Sequence, residues 1–267
     1  MALRSRLFVL SVLLVACGDP TPGPTDAGTQ PDASSIDAGV DAAATDDAGI
    51  DAALDAGMPD AGPPVEGIIS GSCDEIDSEL LDPSEFLFEN EITFPVRITE
   101  ADLVHFTEGA REVLEAGTVG GSSVYSEAMS FEVLARCEGA TLLASEPGIR
   151  YMDPNGTRTD LLVEIDGHRV GVSVTRGMSF PRDAAYPLSE AQRVLTKKLE
   201  DIHASTANVD ELDRWVKQIL HVMTDTPMHA EQLRTAWADL SEETRGDTIL
   251  LVTVTNGEDA FIYDNEL

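Results

Sequence analysis

An acidic side chain and two hydroxyls meet in one hairpin of this 267-residue chain. Residues 157–176 read TRTDLLVEIDGHRVGVSVTR, where two runs rich in Val, Leu and Ile flank Asp166-Gly167, a dipeptide suited to the positive φ angles of a tight turn. Counting outward from that turn pairs Ile165 with His168, Glu164 with Arg169 and Asp160 with Ser173. Because alternate residues share a face, Asp160, Leu162 and Glu164 point one way with Arg169, Gly171, Ser173 and Thr175. Asp160, Ser173 and Thr175 are thus expected together at the open end of an otherwise apolar hairpin. The plainer alternative is that Asp160 caps a strand end and the hydroxyls line a sheet edge.

A second carboxylate stands out for its position. Residues 123–138 follow a Gly-rich turn, end at Gly139, and carry Val124, Ala128, Phe131, Leu134 and Ala135 at helical spacing. Glu127 lies inside that apolar stripe, one turn from Val124 and from Phe131, whereas Glu132 points more to the side. A carboxylate on a core-facing stripe wants a charged partner or a role, the alternative being a helix-edge glutamate with a snorkelling stem. On the helix expected from Ser189, Lys197 lies toward the outer side and Lys198 borders the apolar stripe. Both lysines could equally pair with acidic neighbours on a solvated face.

These residues must be positioned by alternating helices and strands. Thr99 and Asp102 resemble an N-terminal cap, and Leu103, Phe106, Ala110, Val113 and Leu114 form a stripe that runs to Gly117, so one amphipathic helix is expected over 99–116. Residues 73–91 are acidic and irregular, and 91–96 could be a short strand. Residues 140–145 and 149–152 read as one bent strand or two short ones. Residues 177–187 are loop, and Ser189 is expected to cap a helix to about 204. Residues 217–223 are a buried strand candidate; Thr226-Pro227 opens a helix with Ala230, Leu233, Trp237 and Leu240. Residues 248–254 are the most strand-like run, and Asn256-Gly257 turns them into 260–263. This order describes an α/β protein, a mixed-sheet α/β/α sandwich.

With those elements in place, residues 123–263 resemble the PD-(D/E)XK, or restriction-endonuclease-like, superfamily. There a helix glutamate, an Asp opening the second core strand and an acidic-x-Lys on the third surround one or two divalent metals. The resemblance implies Mg or Mn held by Glu127 and Asp160, and a metal-activated water directed at a phosphodiester. The third motif falls at Ser173-Val174-Thr175, so Ser stands for the acid and Thr for the Lys. At most two acids then remain for metal, and the cation that orients water is missing unless Arg176, Lys197 or Lys198 replaces it, Lys198 being the better placed. GVSVTRGMSFP, VLTKKLEDI and WVKQILHV are also similar to an uncharacterised branch of nuclease-like proteins from fungi and other microbes.

Motifs of other common chemistries are absent from the sequence, although the members of a catalytic triad need not be near one another in sequence. No GxxxxGK[ST], strand-linked GxGxxG, GxSxG or HExxH occurs, so phosphate-loop, Rossmann, hydrolase-elbow and zincin sites are not indicated. None of the five histidines is paired at helical ligand spacing, and His221 is the one that falls within a strand candidate. The net charge is −32, and residues 65–267 alone hold 39 acidic against 15 basic side chains. Nucleic-acid binding draws on displaced counterions, so this balance disfavours a general DNA or RNA binder. Residues 169–217 nevertheless hold eight of those fifteen bases, which leaves room for a neutral or basic cleft.

The first quarter reads differently from the rest. Arg4 and Arg6, an apolar run over 7–15, and Leu14-Val15-Ala16-Cys17 make a secretion signal with a lipobox, over residues 1–16. It resembles the bacterial lipoprotein signal, which implies acylation at Cys17 and a lipid-anchored protein of the cell envelope. Residues 17–64 repeat Asp-Ala-Gly five times and hold ten aspartates with no basic residue, a composition too poor in apolar surface to fold. This stretch, similar to Asp-Ala-rich leaders of deltaproteobacterial lipoproteins, is expected to be a tether of roughly 35 to 40 Å r.m.s. span. Export favours a Cys73–Cys137 disulfide in the remaining domain, 65–267. Two functions are therefore expected: a tethered nuclease-like domain with a degenerate metal site, weakly active or inactive, or a non-enzymatic envelope domain that binds another protein.

Overall fold

The structure, a computed structural model, describes residues 63–118 and 123–267, all within one compact unit. The lipobox with Cys17 and the Asp-Ala-Gly repeats lie outside the described residues.

The described chain is α/β. Strands β1 (Ile68–Gly71), β2 (Phe86–Phe94), β3 (Thr141–Ser145), β4 (Leu161–Ile165), β5 (His168–Arg176), β6 (Lys217–Thr224) and β7 (Ile249–Gly257) form one mixed sheet in the order β1-β2-β7-β6-β5-β4-β3. The four central strands β2, β7, β6 and β5 are mutually parallel, and β1, β4 and β3 run antiparallel at the edges. The hairpin forms as its sequence dictates: Asp166 and Gly167 take φ of 49° and 76°, and the ladder pairs Ile165 with His168 and Glu164 with Arg169.

Helices cover both faces. On one lie α1 (Glu108–Ala116), α2 (Val124–Glu138) and α6 (Ala260–Asp264), packed on Val170, Val172 and Val174 of β5 and on Ile219 and Met223 of β6. On the other lie α3 (Leu188–Asn208) and α4 (Pro227–Asp239), packed on Leu220, Val222, Leu250 and Val252, with the one-turn α5 (Glu242–Arg245) beyond them. The apolar run Ile249–Val252 of β7, and the apolar residues on both sides of His221 in β6, follow from this, because a parallel strand buried on both faces need not alternate. Among the described residues no helix is long and apolar enough to cross a membrane.

Several expectations are corrected. The helix expected over 99–116 is two pieces, a 3-10 turn at Glu100–His105 closed by a Thr99–Asp102 capping box, and α1. The break has a cause in Glu132: its carboxylate accepts both the backbone N–H and the hydroxyl of Thr107, at 2.9 and 2.7 Å, which pulls Thr107 out of the helix and makes it the cap of α1. Glu132 is therefore fully buried and not lateral. Residues 260–263 are helical, 73–91 contain much of β2, β1 was not anticipated, and α3 begins before Ser189 with no side-chain cap.

Cys73 and Cys137 are disulfide-bonded, with Cα atoms 4.5 Å apart. The neighbouring Glu138 carboxylate accepts the backbone N–H groups of Asp74, Glu75 and Ile76 at 3.0 to 3.2 Å, so the same junction is fastened twice.

Candidate active site at the carboxyl ends of the parallel strands

The site starts from a mismatch in strand length. β4 begins only at Leu161, while β5 continues to Arg176 beside β6, so beyond Val172 one edge of β5 has no strand neighbour. Thr159 and Asp160 fill that edge. The Val172 carbonyl accepts from the Asp160 backbone N–H at 3.1 Å and from Thr159 Oγ1 at 2.9 Å. Asp160 Oδ2 accepts from the Val174 backbone N–H at 2.6 Å and from Ser173 Oγ at 3.4 Å. Tyr151 braces the turn, its Oη accepting from the Thr159 N–H at 2.8 Å. Asp160 and Ser173 are thus neighbours, and Asp160 also caps the strand.

Glu127 sits in the first turn of α2, 3% exposed, with Ser123 Oγ donating to its Oε1 at 2.5 Å. Burial first, then the negative charge of Asp160, push its carboxyl up to about 7, with smaller contributions from Glu146 and against it from Lys198. Asp160 is partly exposed, yet protein surrounds most of it, and that burial raises its carboxyl too; Lys198 is the largest charge acting the other way. Glu127, Asp160 and Lys198, the last on α3, therefore act on one another electrostatically.

The faces differ from the expected arrangement. Ser173 and Thr175 register with Leu220 and Val222, which face α3 and α4, whereas Val172, Val174 and therefore Arg176 face α2 and α6. Ser173 and Thr175 thus lie on the face of β5 opposite α2, and Asp160 meets Ser173 Oγ and the Val174 backbone N–H at the open edge. Arg176 spends its guanidinium on α6: Nη1 donates to the carbonyls of Ile262 and Tyr263 at 3.2 and 2.8 Å. Burial lowers its pKa, opposed by Tyr263 and Glu127. Lys197 is paired with Asp201 at 2.8 Å on the solvated side, as one reading of its position anticipated. Among the described residues no group of three or more His, Cys, Asp or Glu side chains comes together as a metal cage.

Sequence reasoning missed the neighbouring cavity. It has a volume of about 700 Å³ and runs from Thr175 and Arg176 past Met178 and Arg182 to Tyr263 and Asn265. Arg182 is its keystone: Nε donates to Asp225 Oδ2 at 2.9 Å, Nη2 to Asp259 Oδ1 at 2.6 Å, and the guanidinium lies 4.5 Å from the Tyr263 ring centre. Asp225 also stands 2.9 Å from His229 Nδ1. The turn signals around 177–187 mark the segment as loop, but nothing local ties Arg182 to aspartates more than 40 residues away.

His221 is a structural histidine. It is fully buried between Ser130 Oγ at Nδ1, 2.7 Å, and Thr253 Oγ1 at Nε2, 2.6 Å, and burial drives its pKa down to about 3. Thr253 uses its hydroxyl proton on Asn90 Oδ1 at 2.6 Å, so it accepts from His221 Nε2–H, and Nδ1 accepts from Ser130. Ser130 is likewise 0% exposed, so this serine–histidine pair has no substrate access.

The described chain is an α/β domain in which Asp160 lies beside the carboxyl-terminal half of β5, and the carboxyl ends of the strands are the usual place for a ligand in an open α/β sheet. No protein-family model matches the chain. The chain is similar to the AAC-rich mRNA clone AAC4 protein of Dictyostelium discoideum, 35% identical in an alignment of 162 residues that covers 58% of this chain and 24% of that protein. The chain thus spans about a quarter of the length of that curated relative. Among solved structures it has a slight likeness to Pyrococcus furiosus SfsA in complex with Ca2+, at 11% identity and a TM-score of 0.22, over 49% of this chain and 55% of that one.

Proposed function

We propose that residues 65–267 are a nuclease-like domain of the restriction-endonuclease type, held by a lipid at Cys17 and a tether in a bacterial envelope. In this reading its Glu127–Asp160 pair holds one divalent cation, Mg or Mn, with little or no phosphodiester cleavage. The observations that support the reading are Asp160 seated at the open edge of β5, with Oδ2 held by Val174 and Ser173, and Glu127 buried in the first turn of α2, the two carboxyls and Lys198 acting on one another electrostatically. The donor set suits a hard cation: Asp160 Oδ1 makes no hydrogen bond among the described residues, while Ser173 and Val174 fix Oδ2 and Ser123 fixes Glu127. Mg is commonly bound through one or two carboxylates, with water and substrate oxygens completing its shell. When bound, the cation would supply charge to a phosphodiester oxygen and acidify a water. Ser173 and Thr175, in place of an acid and a lysine, supply neither a third carboxylate nor a cation, which supports weak or absent turnover.

Calorimetric titration tests this. Mn2+ should bind the wild type weakly at a single site, and Glu127→Gln and Asp160→Asn should each abolish the heat. Oligonucleotide cleavage should be slow or absent, and any that is seen should need Mn2+ and Asp160. A wild type silent to millimolar Mn2+ rejects the reading.

The acidity of residues 65–267 favours a second reading, a non-enzymatic domain that binds another protein, because such a surface repels polyanions. In that case neither carboxylate substitution changes partner binding.

A further inference from the structure

The loop after β5 holds an aromatic ring out in water. Phe180 is 94% exposed, the most exposed of the large apolar side chains among the described residues. Its loop is pinned on both sides. Gly177 donates its N–H to the Met223 carbonyl at 2.7 Å, and Ser179 Oγ donates to the Ala185 carbonyl at 2.9 Å. Arg182, two residues on, is locked between Asp225 and Asp259. Phe180 therefore adds almost nothing to the core, while the chain that presents it is tied down. A ring carried by such a loop costs little further ordering when a partner packs on it.

The charges around the ring decide what that partner carries. Phe180, Asp264 and Glu266 line the same cavity of about 700 Å³. Asp264 and Glu266 are exposed, and among the described residues neither makes an ion pair. The two arginines of the wall are engaged, Arg182 by Asp225 and Asp259, Arg176 by the carbonyl oxygens of Ile262 and Tyr263. Four carboxylates thus outnumber two cations, in a domain with 39 acidic against 15 basic side chains. Such a wall repels anions and draws cations. The protein uses the same chemistry once internally: Arg182 lies 4.5 Å from the Tyr263 ring centre while its Nε and Nη2 donate to the two aspartates. A guanidinium is the cation suited to this, because it is planar, stacks on an aromatic face and still pairs with carboxylates through its edge. Phe180, Asp264 and Glu266 offer the same two parts, a ring face and carboxylates, to a cation from outside.

We propose that this cavity receives an arginine side chain from a basic segment of a partner protein, the guanidinium stacked on Phe180 and paired with Asp264 and Glu266. This deepens the protein-binding reading above, on which it rests, by giving that partner a charge and a docking point. It takes nothing from the metal reading, since neither Glu127 nor Asp160 lines the cavity.

Fluorescence anisotropy of a short labelled peptide of alternating arginine and glycine, at physiological salt, tests the site. Phe180→Ala should weaken binding about threefold, the scale of one exposed cation–π contact, and Phe180→Trp should bind at least as tightly as the wild type. Asp264→Asn/Glu266→Gln should weaken it about fivefold. Glu108→Gln/Glu112→Gln removes as much charge at a separate cavity and should leave binding unchanged. All five side chains are exposed, so these variants should melt as the wild type does. A peptide with citrulline for arginine, which keeps the shape and loses the charge, should not bind. Equal losses in the two double variants would mean diffuse attraction to an acidic domain and would overturn the site. A Phe180→Ala protein that binds as tightly as the wild type, or a wild type that does not bind the arginine peptide, would overturn it too. Equal binding of the citrulline peptide would assign the ring to an uncharged partner instead. Asp160→Asn should bind the peptide as the wild type does, so failure of the Mn2+ titration leaves this site standing.

Discussion

Asp160 accepts the backbone N–H of Val174 at 2.6 Å, in the place where a longer β4 would have supplied a carbonyl. One carboxylate oxygen is thereby committed to holding the end of β5. An asparagine keeps an oxygen for Val174 and an alanine does not. Asp160→Ala should therefore cost about 1 to 3 kcal/mol through an unsatisfied N–H, and Asp160→Asn markedly less. Urea denaturation of the two variants checks the order; equal losses would mean that the cap is not made.

Glu127 gives the stability a pH signature. Its native carboxyl is raised from 4.5 to about 7, so between those values the folded protein holds a proton that the unfolded chain releases. This group's contribution is complete below 4.5 and is lost as pH rises through 7. Glu127→Gln removes the titration, so the variant should gain on the wild type between about pH 5 and pH 8, by up to about 3 kcal/mol. Denaturation midpoints of both proteins at the two pH values give the result, and parallel curves would contradict it.

His221 acts in the opposite sense. Its native pKa is depressed from 6.5 to about 3, so the unfolded chain takes up the proton first. Its contribution is present above 6.5 and declines as pH falls toward 3. Ring-nitrogen NMR should find it neutral with the proton on Nε2 at about pH 5, where an ordinary histidine is charged. A protonated ring, or one protonated on Nδ1, would break the Ser130–His221–Thr253–Asn90 chain.

The double fastening at Cys137 and Glu138 predicts a graded loss. Removing the bridge as Cys73→Ser/Cys137→Ser should cost about 4 kcal/mol in the chain-entropy account of a closed loop whose cysteines are 64 residues apart. Glu138→Gln should cost less by itself but more in the bridge-less protein, because the carboxylate then holds the junction alone. Calorimetric melting of the three proteins measures the coupling, and strict additivity would refute it.

The contrast between legible and illegible parts follows the range of the interactions. The hairpin was readable to the residue because Asp166-Gly167 fixes the turn and strand period fixes everything outward, so Asp160 opposite Ser173 followed. Helix α2 and its Gly139 end were readable for the same local reason. The split at Phe106 was not, because Glu132, 25 residues away, decides it through Thr107. Nor was the side of the sheet on which each site residue lies. Strand alternation gives parity within β5, but the placement of α2 on the Val172–Val174 face, opposite Ser173 and Thr175, is set by the tertiary fold. The Arg182 cluster is the extreme case, since its aspartates follow two other strands.

Melting with and without a divalent ion is the most direct test of the carboxylate pair. Two like charges forced together should accept Mg2+ or Mn2+, and at ten times the dissociation constant the folded state should gain about 1.4 kcal/mol. The account predicts a melting temperature for the wild type that climbs with metal concentration at about pH 8, where Glu127 is ionised, and an Asp160→Asn protein whose melting temperature does not move. A wild-type melting temperature indifferent to millimolar metal, or an Asp160→Asn protein that shifts as far as the wild type, would contradict it.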